Sequence, residues 1–227
     1  MDQRTADADA LIISEFRDFL RDPQFPCVGA KSALSRRQIE FHVVASGEDH
    51  DREIVEKLQA FAREWGPDTL FASFITIFKD EAFNSEAEFE DFLWKQLEKL
   101  HTIDRLSHDW DPKVSKDPGS PEFSMSFGGR AFYIVGLHPQ SSRKARQFKY
   151  PALVFNLHSQ FEVLRSSGKY DVIHDSILER DVAFSGSTNP MLASFGTVSE
   201  ARQYSGRKVD GHWKCPFHAT EDNYNVK

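Results

Sequence analysis

Apolar residues recur at helical spacing over residues 10–21, through Ile12, Ile13, Phe16, Phe19 and Leu20, until Pro23 stops the pattern. Residues 38–45 alternate and then turn apolar, which predicts a strand. A second amphipathic helix is expected over 50–65 through Ile54, Val55, Leu58, Phe61 and Trp65, ended by Gly66-Pro67. The β-branched and aromatic run 69–78 reads as a strand buried on both faces. The longest helix, 85–106, opens on a capping box of Ser85 and Glu88 and turns Phe89, Phe92, Leu93, Leu97 and Leu100 to the core. Residues 107–122 hold three prolines and no period, so they form a loop of a length that is often functional. Phe123–Phe127 and Ala131–Leu137 flank Gly128-Gly129 as a hairpin, and residues 152–156 make a further strand. Helices are expected at 158–167 and 170–181, whereas 183–218, rich in Gly, Ser, Pro and Arg, gives little to assign. Helices and strands are interspersed without a regular βαβ rhythm. The fold class is therefore α+β, one domain over 1–227 with its core at about 10–218, a mixed sheet packed with helices.

Composition narrows the function. A chain of 227 residues with 40% hydrophobic residues and 20 Phe is ample for a core and too apolar for disorder. A net charge of −7 and a pI near 5.7 argue against a dedicated nucleic-acid binder. No run approaches the roughly 18 apolar residues of a membrane span. The start Met1-Asp2-Gln3-Arg4 lacks the pattern of a signal peptide, so a soluble cytoplasmic protein is expected. Two cysteines, Cys27 and Cys215, make neither a disulfide framework nor a four-cysteine zinc site.

The common catalytic spacings are missing. G-x-G-x-x-G, the phosphate-binding loop, H-E-x-x-H and G-x-S-x-G do not occur, and Lys113 and Lys116 spoil a calcium loop over 111–122. Two features remain. His138 and His158 each follow a predicted strand, which would set both imidazoles on one rim of the sheet, as metal or heme ligands or as turn-binding groups. Four arginines, Arg143, Arg146, Arg202 and Arg207, lie in loop-like context. Their forks suit heme propionates, a substrate carboxylate or the protein's own acids.

Several strings together resemble a known family. They are Phe25 to Leu34; Gly136-Leu137-His138-Pro139 with Ser142-Arg143; Pro151 to Asn156 with His158, Gln160, Phe161 and Glu162; Asn189-Pro190-Met191-Leu192; and Ser199 to Arg207 with Trp213, Cys215, Pro216 and Phe217. This pattern resembles the YqcI/YcgG family, in the branch of heme-dependent N-hydroxylases of guanidine compounds, which includes arginine N-hydroxylases and the pre-guanitoxin N-hydroxylase. The resemblance implies one heme b (iron protoporphyrin IX) per chain, in a Phe-rich pocket at the sheet edge. No C-x-x-C-H attachment motif is present, in keeping with a heme held without thioether links. His138 and His158 both lie in the shared strings, and the axial ligand is left open between them; His158, at a helix start beside Phe155 and Phe161, ranks ahead of His138, with His42 third and the thiolates of Cys27 or Cys215 as the alternative. The four arginines would clamp the propionates. A small cationic guanidine or amine, with L-arginine as the first guess, needs an acid nearby. Asp109 and Asp111 in the long loop are favoured, beside Glu162 and Asp181, and a buried acid facing the heme without an arginine would be a substrate contact. The oxidant would be O2 or peroxide. Electrons would come from an external donor, since no dinucleotide loop is encoded. Two rival readings are a non-catalytic heme sensor or carrier, and a non-heme iron enzyme using His138, His158 and a carboxylate.

Overall fold

The computed structural model describes residues 3–45, 50–66, 68–191 and 196–219. Pro67 and Leu192, used above, lie outside the described residues, as do Met1 and Asp2. Five strands form one mixed sheet: β1 (Ile39–Val44), β2 (Ser73–Phe78), β3 (Met125–Phe127), β4 (Arg130–Leu137) and β5 (Ala152–Leu157), in the order β1-β2-β5-β4-β3. β1 and β2 run parallel, and the other neighbours pair antiparallel. The described helices are α1 (Gln3–Arg21), α2 (Val28–Ser35), α3 (His50–Glu64), α4 (Glu86–Asp104), α5 (His158–Ser166), α6 (Tyr170–Ser185) and α7 (Ala201–Tyr204). The fold is α+β in one domain, as the pattern predicts.

The sheet divides the molecule into two unequal cores. Because side chains alternate along a strand, Phe74, Phe132, Ile134, Leu153 and Phe155 face α3 and α4, where Ile54, Leu58, Phe61, Phe89 and Leu93 are buried to 0% exposure. Each such side chain contributes about 1.5–3 kcal/mol. α4 starts as its sequence predicts: the Ser85 Oγ accepts from the Glu88 N–H at 3.2 Å. The Glu88 carboxylate, however, takes the Asn84 N–H rather than that of Ser85. On the other face Ile75, Leu137 and Ala152 pack under Ile12, Phe16 and Leu20 of α1.

Four details differ from the periodicity reading. α1 begins seven residues before residue 10, on polar positions that the apolar stripe of its second half carries along. α2 escaped detection because Ala33 is its sole buried residue, and it is capped by the Cys27 Sγ accepting from the Ala30 N–H at 3.4 Å. β2 is shorter than the apolar run, starting at Ser73, yet it is buried at every position. The unassigned tail contributes α7, whose Tyr204 is fully buried.

Candidate functional site

The second face of the sheet is not filled. A cavity of about 350 Å³ lies over β2, β4 and β5, floored by Ser73, Ile75, Tyr133, Val135, Val154 and Asn156. It is thus on the face of the sheet, not at its edge. α1 supplies Phe16 and Leu20, and the α2 segment supplies Cys27, Gly29 and Ala30. α5 contributes His158, Gln160, Phe161, Leu164 and Arg165. α6 turns one stripe to it, Tyr170, Ile173, His174, Ile177, Leu178 and Asp181, at the 3–4 residue spacing of a helix face. Glu200 and Gln203, around α7, close one side. The walls are mainly apolar with a few convergent polar groups, which is the composition of a small-molecule or cofactor site.

His158 lines this cavity at 4% exposure. Burial, with the Arg165 guanidinium beside it, pushes its pKa down to about 4, so the ring is neutral at pH 7. Glu162, half-exposed one turn on, places Oε1 3.8 Å from the His158 Nδ1. Phe161 lines the cavity and meets both the His158 ring and the Tyr133 ring edge-on. Phe155 points the other way, fully buried among Phe74, Phe127 and Phe132.

His138 does not share this site. Because β4 and β5 are antiparallel, Phe132 pairs Leu157 and Leu137 pairs Ala152. The residues that follow the two strands therefore lie at opposite ends of the sheet, roughly 20 Å apart along the strand direction. The expectation of one shared rim is corrected: it assumed parallel neighbours. His138 is fully buried, stacked on Phe89 at 4.2 Å, with neither ring nitrogen hydrogen-bonded among the described residues. Its pKa is also pushed to about 4 by burial. No group of three His, Cys, Asp or Glu side chains able to hold a metal ion occurs among the described residues. His138, His158 and a carboxylate thus do not assemble into a non-heme iron site. His42 lies on β1, turned to the same face as Val44 and 3.8 Å from Glu53. Burial raises the thiol pKa of Cys27, which lines the cavity, and pushes that of Cys215 up to about 12.

The four arginines separate. Arg146 lines the cavity and is buried, donating to the carbonyls of Gly136, Gln203 and Tyr204. Gly206, at φ +83°, makes room for it: a Cβ there would sit 2.6 Å from the Arg146 Cδ. Arg143 is ion-paired with Asp181 and donates to Ser187, tying the segment after β4 to α6. Arg202 lies over the Trp213 ring and donates to the Asp210 carbonyl, and Arg207 donates from Nε to Glu90 at 2.8 Å. Neither lines the cavity.

The favoured acids, Asp109 and Asp111, do not line the cavity. Asp111 accepts the Ala131 N–H at 2.9 Å and the Lys113 N–H at 3.0 Å, which pins the long loop to the hairpin. Asp109 borders a much smaller cleft with His101, Asp104 and Trp110. Pro121 is the residue of this loop that reaches the cavity.

An acid outside those favoured from the sequence is buried on the cavity wall. Glu200, 7% exposed, lines the cavity, and burial raises its pKa to about 7 against hydrogen bonds from Ser124 and Tyr204. Its segment stands out in the sequence for arginines, and the string Ser199 to Tyr204 carries no period that reveals which side faces inward. His174 and Arg165 were missed too, although the helical spacing of α6 carries the signal for His174.

The match to a family model closes the question of kinship, since it runs over residues 16–218. The chain belongs to the YqcI/YcgG family. It is also 29% identical over 215 residues to a protein of Streptomyces lavendulae named "Putative N(omega)-hydroxy-L-arginine synthase DcsA", covering 87% of this chain and 79% of that protein. No solved structure matches the chain. No described helix is long and apolar enough to cross a membrane.

Proposed function

We propose that this family member N-hydroxylates a small guanidine compound, L-arginine or a close relative, with a heme b held in the sheet-face cavity. The observation that carries the reading is that cavity: an apolar chamber whose wall presents a buried, neutral imidazole, in a chain similar to a protein named for hydroxyarginine synthesis. The lining fits the group. A neutral imidazole is the commonest proximal ligand of heme, and a cavity of this size and polarity is within the range of cofactor sites. Gln160 adds a buried Oε1 with no hydrogen-bond partner among the described residues, on the same wall.

His158 would hold the iron, with the Glu162 carboxylate one turn away, 3.8 Å from Nδ1. Arg146 and Arg165 would receive the propionates. When bound, the heme supplies oxygen activation, using O2 or peroxide with electrons from an external donor. The chain's own share is binding, orientation and exclusion of water. Phe16, Leu20, Ile75 and Val154 keep the chamber dry. Tyr133 is held by donating to the Gln203 Oε1 at 3.0 Å, and Asn156 is held by Ser73 at 2.7 Å, so the polar floor is rigid.

The test is reconstitution. Protein expressed with heme supplementation is expected to show a Soret band, to shift it on adding arginine, and to form a product heavier by one oxygen with a reductase or peroxide. His158→Ala is expected to lose the heme, and His138→Ala, if folded, to keep it. Colourless protein would sink the reading, and intact heme with neither shift nor product across guanidines and amines would leave a heme-binding module.

A further inference from the structure

We propose that Glu200 is the specificity-determining anion of the cavity, receiving the guanidinium end of the substrate through its Oε2. The assignment rests on the function proposed above and names the residue that selects a cation there.

Glu200 is nine-tenths buried and faces an apolar chamber, a placement that costs free energy unless the charge finds a partner. No lysine or arginine among the described residues forms an ion pair with it, and Arg165 acts on it only through space. Asp181, the other acid on the wall, differs: Arg143 and Ser185 already engage it. The hydrogen bonds to Glu200 are lopsided. Ser124 and Tyr204 both donate to Oε1, the latter at 2.6 Å. Oε1 is thereby saturated, while Oε2 keeps two lone pairs, enough for two N–H groups of one guanidinium. The carboxylate is also held still. The Tyr204 hydroxyl accepts the Met125 N–H at 3.2 Å, and its ring stacks on Trp94 at 5.6 Å. A fixed, desolvated carboxylate with one open edge selects a planar cation over its neutral isostere, because only the cation relieves the buried charge.

The probes are L-arginine and L-citrulline, of similar shape but with a cationic and a neutral side-chain end respectively, measured by calorimetry on protein from heme-supplemented expression. Wild type is expected to prefer arginine by about 10- to 100-fold, the scale of a desolvated charge-assisted pair. Glu200→Gln keeps an oxygen for Ser124 and Tyr204, and is expected to bring that preference to within about 2-fold while heme uptake persists. If Glu200→Gln does not fold, Glu200→Asp, which withdraws the carboxylate by one methylene, is expected to weaken arginine and leave citrulline unchanged. A preserved preference in the folded variant, or wild type that binds neither probe, overturns the assignment. Hydroxylated product with an unchanged preference would sink Glu200 alone. Loss of preference in a protein that makes no product would keep the guanidinium site and sink the hydroxylation.

Discussion

The two faces of the sheet are built from the same strands, yet one is filled and the other is hollow. Phe132, Ile134, Leu153 and Phe155 on the filled face are each at 0% exposure, against Ile54, Leu58 and Phe89 from α3 and α4. One residue further along, Tyr133, Val135, Val154 and Asn156 floor the cavity under α5 and α6. The difference lies in what covers each face. α3 and α4 bring bulky apolar stripes onto the sheet, and Gly136 lets α4 approach so closely that a Cβ there would lie 2.6 Å from the Phe89 ring. α6 instead spaces tyrosine, histidine and aspartate among its apolar residues, and α2 offers small ones. Close packing and open space are thus divided between faces, and substitutions on each should behave differently.

The largest effect is expected on the filled face. Phe89→Ala removes a ring that meets Phe83, Phe92 and His138, and should cost about 3–5 kcal/mol in urea denaturation. Val154→Ala on the hollow face, where the side chain already borders empty space, should cost less than half as much; equal losses would erase the contrast.

Acid comes next, and it separates the two buried histidines from Glu200. Both have pKa values lowered from 6.5 to about 4, so between these values the unfolded chain binds protons that the folded chain refuses. Their contribution to stability is full above pH 6.5 and is lost as pH falls toward 4, about 2–3 kcal/mol for each. Glu200 has the opposite sign. Its pKa is raised from 4.5 to about 7, so its contribution is present below pH 4.5 and lost as pH rises to 7. Denaturation curves from pH 4 to 8 should show the acid loss, reduced by removing either histidine, and Glu200→Gln should raise the melting temperature at pH 8. A flat profile would show that the histidines are not buried neutral.

The smallest effect comes from adding atoms. Gly136→Ala pushes a methyl into Phe89 and should cost about 1–3 kcal/mol. Val154→Phe grows into the cavity and should cost less than about 1 kcal/mol while reducing heme uptake. Thermal melts alongside heme titration check both, and heme uptake untouched by Val154→Phe would move the cofactor out of this chamber.

The amino-acid sequence by itself determined most of the elements, α2 and α7 excepted. Ile54, Val55, Leu58 and Phe61 at helical spacing, the Ser85 cap, and the Gly128-Gly129 turn at φ +59° and +71° are local signals, written in residues a few positions apart. It also carried the strings that mark the family, and two of the residues it singles out, His158 and Arg146, line the cavity. What it could not carry was the pairing of strands. That β4 and β5 run antiparallel is decided by which burial each arrangement achieves across the whole sheet, and this separates His138 from His158. The same long-range packing tied Asp111 to the hairpin, Arg207 to Glu90 and Arg143 to Asp181. It left Glu200, an unremarkable acid in the sequence, as the buried carboxylate on the cavity wall with no cation bound to it among the described residues. An acid's partners are set by residues far away in the chain, Ser124 at 76 positions' remove among them, so only the folded arrangement shows which carboxylate still has an oxygen to offer.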